Sequence, residues 1–247
     1  MNQHFDRTLK AMSVILSYPT PELQEAMPEI AGVLMADSRM TSATRRSLKP
    51  LLEALESNDI YELQEVYVAL FDRSRSLSLN LFEHVHGESR DRGGAMVSLL
   101  ETYRDAGFDP ATSELPDHLP VLLEFLALRP FEEMRDILDD AAHILEALSA
   151  RLTRRESPYA ALFPALLQVA KVKADKSVVM GLLEQPEDDP DDLEALDEIW
   201  QESEVTFGPD PNGGCPQVRD MLAQMDTPVN PAPDQSKPGQ SAPHAAE

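Results

Sequence analysis

Residues 131–155 read FEEMRDILDDAAHILEALSARLTRR. Met134, Leu138, Ala141, Leu145, Leu148 and Leu152 recur at alternating steps of four and three. At 3.6 residues per turn those steps put six apolar side chains on one stripe and leave the charged groups elsewhere. A strand would need alternation at every second residue, which this stretch lacks. The pattern predicts a long amphipathic helix that must bury its stripe against other helices.

Working outward, similar patterns lie on both sides. Downstream, Pro158 opens a helix through Leu162, Leu166, Leu167 and Ala170. Upstream, HLPVLLEFLALR (118–129) stops before Pro130, with Asp117 as its expected cap, and AMVSLLETYRDAG (95–107) is closed by Gly107. Further back, a first helix is expected over Phe5–Ser17, ended by Tyr18-Pro19. Thr20 caps a second, with Pro21 in its first turn and Leu23, Met27, Ile30 and Leu34 inside. A third starts near Thr41 and buries Leu48, Leu51, Leu52 and Leu55. A fourth, capped by Asn58 or Asp59, offers Tyr61, Val66, Leu70 and Phe71 as core. No sustained period-two run and no hairpin turn between apolar runs is present. The fold class is all-α: a single globular bundle of roughly eight to ten helices.

Charge and composition narrow the function. The 247 residues carry a net charge of −23, which opposes general binding to nucleic-acid phosphates. Residues 184–247 hold 16 acidic and 2 basic residues, so much of the excess sits in a tail. No apolar run is long enough to span a membrane, and the N-terminal residues do not read as a secretory leader. The single cysteine, Cys215, fits a reducing, cytoplasmic setting. The chain divides into three segments: 1–183 as a helical body, 184–207 as an acidic segment whose short helix docks on it, and 208–247 as a proline-rich disordered tail. Leu193, Leu196, Ile199 and Trp200 form the expected docking face, with Phe207 beside it.

The densest polar chemistry is FEHVHGESRDRGG (82–94). Metal binding fits poorly, because LNLFEHVH looks helical and His84 and His86 would then point about 200° apart. Catalysis fits poorly too. Asp117 and His118 are adjacent, Ser74, Ser76 and Ser78 could offer hydroxyls, but no nucleophile elbow, phosphate loop or metalloprotease helix accompanies them. Asp117 reads better as a cap and His118 as a buried, hydrogen-bonded ring. Recognition remains. Arg73, Arg75, Arg90 and Arg92 lie among Leu77, Leu79, Leu81, Phe82 and Val85, with Glu83, Glu88 and Asp91 able to pair with them. Such a surface suits an amphipathic partner helix, or a transiently held phosphate, or simply an ion-paired corner.

RSRSLSLNLFEHVHGESRDRGGAMVSLLETYRDAGF (73–108) and ELPDHLPVLLEFLA (114–127) closely resemble the nitrate reductase molybdenum-cofactor assembly chaperone family, the NarJ-type delta subunit. LSARLTRRESPYAALFPALL (148–167) and LDEIWQESEVTF (196–207) resemble it as well, so the likeness covers most of residues 1–207. The resemblance implies an all-helical, non-enzymatic, cytoplasmic chaperone with no cofactor of its own. It implies a client: the N-terminal segment of the apo catalytic α-subunit of nitrate reductase, held in the αβ complex until molybdenum cofactor enters, with membrane docking delayed. Molybdenum-cofactor biosynthesis proteins are further implied partners. Carried over by motif, the partner-binding candidates are Arg73, Arg75, Glu83, His86, Glu88, Arg90, Asp91, Asp117, His118, Pro120 and Glu124. Two alternatives stand beside this reading: a chaperone of the same fold for a selenate, chlorate or dimethyl sulfoxide type reductase, and a molybdenum-cofactor carrier.

Overall fold

Ten α-helices succeed one another along the described residues, 5–86 and 90–184, of the computed structural model. They are α1 (Arg7–Ile15), α2 (Pro21–Ala36), α3 (Ser42–Ser57), α4 (Ile60–Tyr67), α5 (Glu83–His86), α6 (Arg90–Asp105), α7 (Leu119–Leu126), α8 (Phe131–Arg154), α9 (Leu162–Ala170) and α10 (Lys176–Leu183). Residues 131–154 form the longest of them, and all six stripe residues are buried. Ala142, Ile144 and Ala147 are buried too, because α9, α10 and the 3₁₀ turn Pro158–Ala161 pack around α8 from several sides. α1 packs on α7 and α2, α2 on α3, and α3 in turn on α9 and the 3₁₀ turn. A fully helical body of this kind satisfies its backbone locally and leaves only the helix ends to be capped.

The caps come from short polar side chains. Asp6 accepts N–H bonds from Thr8 and Leu9, Thr20 from Leu23, Thr41 from Thr44, Asp59 from Tyr61 and Asp175 from Ser177. Each such cap contributes about 1 kcal/mol. Gly107 ends α6 at φ +73°, where Phe108 N–H reaches Tyr103 O at 2.8 Å and Gly107 N–H reaches Arg104 O at 2.9 Å.

Several sequence expectations change. The first helix is shorter than 5–17, running from Arg7 to Ile15. In α4, Tyr61 and Val66 face solvent while Leu63 and Tyr67 are buried with Leu70 and Phe71. A π-type turn over Val68–Asp72, closed by Arg73 N–H to Val68 O, follows α4, and Leu63, Tyr67, Leu70 and Phe71 share one face at steps of four, three and one. LNLFEHVH is helical only from Glu83. Its first residues are extended and pair with the segment before α7 through an antiparallel bridge between Asn80 and His118. α6 starts at Arg90, so Gly93 and Gly94 lie within a helix. α10, capped by Asp175, has too short an apolar pattern to stand out in the sequence. The expected acidic helix over 187–207, its docking face at Leu193–Trp200, and the tail to Glu247 lie outside the described residues, as does Glu88.

Candidate functional site

Between α1, the end of α4 and the start of α7 lies a cleft of about 460 Å³. Ser13, Ser17 and Tyr18 line it from the α1 side, and Tyr67 and Asp72 from α4 and its π-type turn. Thr112, Glu114, His118, Pro120, Val121 and Glu124 line it from the segment that leads into α7. Tyr18 and Tyr67 meet edge to face at 5.6 Å, and Tyr67 donates its hydroxyl to Leu16 O at 2.9 Å. Ser13 Oγ donates to Pro120 O at 2.8 Å, so α1 and α7 are locked along one wall. Asp72, the last residue of the π-type turn after α4, lies beside this wall.

The cleft is acidic. Asp72, Glu114 and Glu124 are its charged lining, and Lys10 of α1 pairs with Glu124. Burial, and then the Glu114 carboxylate, push Asp72 above the usual carboxylate range, partly opposed by His118. His118 moves down, chiefly through burial, so its ring is neutral at neutral pH. Its buried Nδ1 has no partner among the described residues. Three carboxyl groups and a neutral ring, framed by two tyrosines, a proline and a valine, suit a guest with positive charge and an apolar face.

The segment beneath this cleft is held by a hydrogen-bonded corner. Leu81 N–H donates to Asp117 O at 3.1 Å and Leu119 N–H to Leu79 O at 2.8 Å. Asp117, fully buried, accepts Phe82 N–H at 3.0 Å through Oδ2. The expectation that Asp117 caps α7 is therefore replaced. His118 occupies that position without a side-chain cap bond, and Asp117 instead joins two chain segments 35 residues apart. The hydrogen-bonded ring expected of His118 is likewise not found at Nδ1. His84 turns inward and donates from Nε2 to Ser78 O at 2.8 Å, and burial lowers its pKa. His86 stands edge-on to Phe82, ring centres 5.8 Å apart. The two histidines thus have separate surroundings, and no cluster of three metal-ligating side chains occurs among the described residues.

The sequence-derived candidates divide into three groups. His118, Pro120 and Glu124 line the cleft. Glu83, His86, Asp91 and Asp117 belong to the corner, where Glu83 pairs with Arg92 at 2.9 Å and Asp91 is exposed in the first turn of α6, which Arg90 opens. Arg73 and Arg75 lie exposed beside Ser74, near the end of α8. Sequence reasoning missed Asp72, Glu114, Tyr18 and Tyr67. Glu114 opens the ELPDHLP motif and Asp72 directly precedes Arg73, so both stood next to residues already singled out. No pattern in the sequence joins them to α1.

Comparison with known proteins gives consistent results. The family described as nitrate reductase delta subunit matches residues 37–165. The nitrate reductase molybdenum cofactor assembly chaperone NarJ of Escherichia coli K12 is 42% identical over 207 residues, 84% of this chain and 86% of that one. The probable assembly chaperone NarW of the same strain is 39% identical with the same coverage. Among solved structures, a candidate redox enzyme maturation protein from Archaeoglobus fulgidus superposes with a TM-score of 0.50 at 23% identity, covering 69% of this chain and 96% of that one. This last match concerns the fold alone.

Proposed function

Because the chain belongs to the nitrate reductase delta subunit family, we propose that it is a dedicated cytoplasmic assembly chaperone whose client is the N-terminal segment of the apo catalytic α-subunit of nitrate reductase. It acts by binding rather than by catalysis. It holds the αβ complex in a state that accepts molybdenum cofactor and postpones docking on the membrane subunit. No helix among the described residues is long and apolar enough to cross a membrane.

The observation that carries this reading is the cleft between α1 and α7, acidic on one side and aromatic on the other. A short amphipathic helix with basic residues on one edge would meet Asp72 and Glu114 there and lay its apolar edge on Tyr18, Pro120 and Val121. Burying three or four leucine-sized side chains supplies on the order of 5–8 kcal/mol before ordering costs. That range supports binding that is firm yet reversible, as a chaperone needs. The net charge of −23 would speed encounter with a basic client and make it sensitive to salt.

Calorimetry tests the reading with the full chain and a peptide copying the first residues of the α-subunit. Binding tighter than about 100 μM, equivalent to about −5.5 kcal/mol, is expected, weakening as salt rises. Asp72→Asn combined with Glu114→Gln should lower the affinity further. Absence of heat up to that concentration overturns the proposal. Tight binding that ignores both substitutions moves the client away from this cleft.

A further inference from the structure

The chain turns sharply between α9 and α10. Lys171 ends α9 in the left-handed region at φ +58°, and Val172 N–H reaches back to Leu167 O at 3.1 Å. α10 then packs on α8, as α9 does. Between these elements lies a groove of about 480 Å³. Leu167, Val172 and Val179 give it an apolar floor, and Met180, 62% exposed, stands at its edge.

The charge at this groove runs against that of the molecule. KVKADK (171–176) carries three lysines and one aspartate on a chain of net charge −23. Two of those four charges are already engaged. Lys171 Nζ sits 5.2 Å from the Phe131 ring centre. Asp175 Oδ1 caps α10, accepting from Ser177 N–H at 2.8 Å and from Ser177 Oγ at 2.7 Å. Lys173 and Lys176 remain. Both are exposed, both line the groove, and neither makes an ion pair among the described residues. α8 contributes Glu146 to the lining.

We propose that this groove is a second docking surface, which takes an amphipathic segment of a partner protein carrying carboxylates along one edge. Apolar side chains at helical spacing lie on Leu167, Val179 and Met180, and the acidic edge meets Lys173 and Lys176. Glu146 confines the carboxylates to that edge, because like charges placed together are unfavourable, and so it sets the orientation of the guest. At physiological salt the Debye length is about 8 Å, so the two ammonium groups act at contact although the chain as a whole is negative. The α1–α7 cleft, lined by Asp72, Glu114 and Glu124, selects the opposite charge. The second surface does not depend on which client that cleft takes.

Fluorescence anisotropy tests it in the full chain with a labelled synthetic helical peptide of about twelve residues. The peptide has leucines at i, i+3, i+4 and i+7, glutamates along one edge and glutamines along the other. Binding tighter than about 100 μM is expected at about 0.15 M salt. Lys173→Glu with Lys176→Glu should weaken it about tenfold. Met180→Ser, a change at an exposed position, should weaken it several-fold with the circular dichroism spectrum unaltered. A peptide with glutamine in place of every glutamate should bind as weakly as the original does to the lysine variant, and the lysine substitutions should weaken it no further. Absence of binding overturns the proposal, and so does binding that ignores both the lysine and the Met180 substitutions. Binding abolished by Asp72→Asn with Glu114→Gln would put the peptide in the α1–α7 cleft and overturns it as well. A dimer in sedimentation that Met180→Ser disperses would place a second copy of the chain in the groove, with the same consequence.

Discussion

Asp117 holds a carboxyl group with no exposure, one N–H bond from Phe82 and a second oxygen, Oδ1, that lacks a partner among the described residues. Burial pushes its pKa up, more than the Phe82 bond and the nearby Arg92 pull it down. The folded state therefore binds this proton more tightly than the unfolded chain does. Stability should fall as pH rises through the window just above the ordinary value of about 3.9, and the penalty should persist at neutral pH. Asp117→Asn keeps an acceptor for Phe82 without the charge, so its stability should lack that slope. Asp117→Ala instead leaves the Phe82 N–H unpaired and should cost about 1–3 kcal/mol. Urea denaturation of all three proteins between pH 4 and 7 checks both expectations. An alanine variant as stable as the parent would show that the corner does not rely on this bond.

Elements are tied here by few, long-range polar contacts laid over an apolar core. Arg151 on α8 is the clearest, since its guanidinium reaches both the turn at Ser76 and the end of α10. Arg151→Ala removes a buried side chain and strands two carbonyls, so a loss of at least about 3 kcal/mol is expected. Hydrogen exchange should locate the damage: amides of 176–183 should exchange faster while those of α2 stay protected. Equal acceleration everywhere would mean that Arg151 supports the whole bundle. The start of α1 has its own knot. Arg39 pairs with Asp6 and Asp37, and Thr8 donates to Asp37 at 2.6 Å. Burial would raise the Asp37 pKa, but the bonds from Arg39 and Thr8 outweigh it and take it down to about 2. Its contribution is present above the ordinary carboxylate value and is lost as pH falls toward 2. Asp37→Asn should therefore remove part of the acid destabilisation between pH 4 and 2, measured by circular dichroism.

Across the whole molecule, stability should reside in the helical body. Residues 227–247 are proline-rich and have no apolar period. Their removal should leave the denaturation midpoint within about 1 °C, well below the 2–4 °C that 1 kcal/mol would shift a domain of this size. A shift of several degrees would mean that the terminal segment packs on the body.

Helix identity was local information. The step pattern of 131–155, the Thr20-Pro21 and Thr41 starts and the Gly107 stop each concern neighbours on one turn, so the sequence by itself determined an all-helical bundle, most of its core and, through long motifs in a set order, its family. The corner and the cleft are different in kind. Asp117 could be a cap or a cross-link, and only its fit against Phe82 from 35 residues away decided between them. Tyr61 and Leu63 look equally apt for a core, and only the side of α4 that packs on the body, shared by Leu63, Tyr67, Leu70 and Phe71, decided which is buried. Asp72 and Glu114 acquire a shared site with α1 only when α7 packs there. Packing brings together residues whose separation along the chain carries no trace of their distance in space, and so tertiary structure alone placed the acidic cleft.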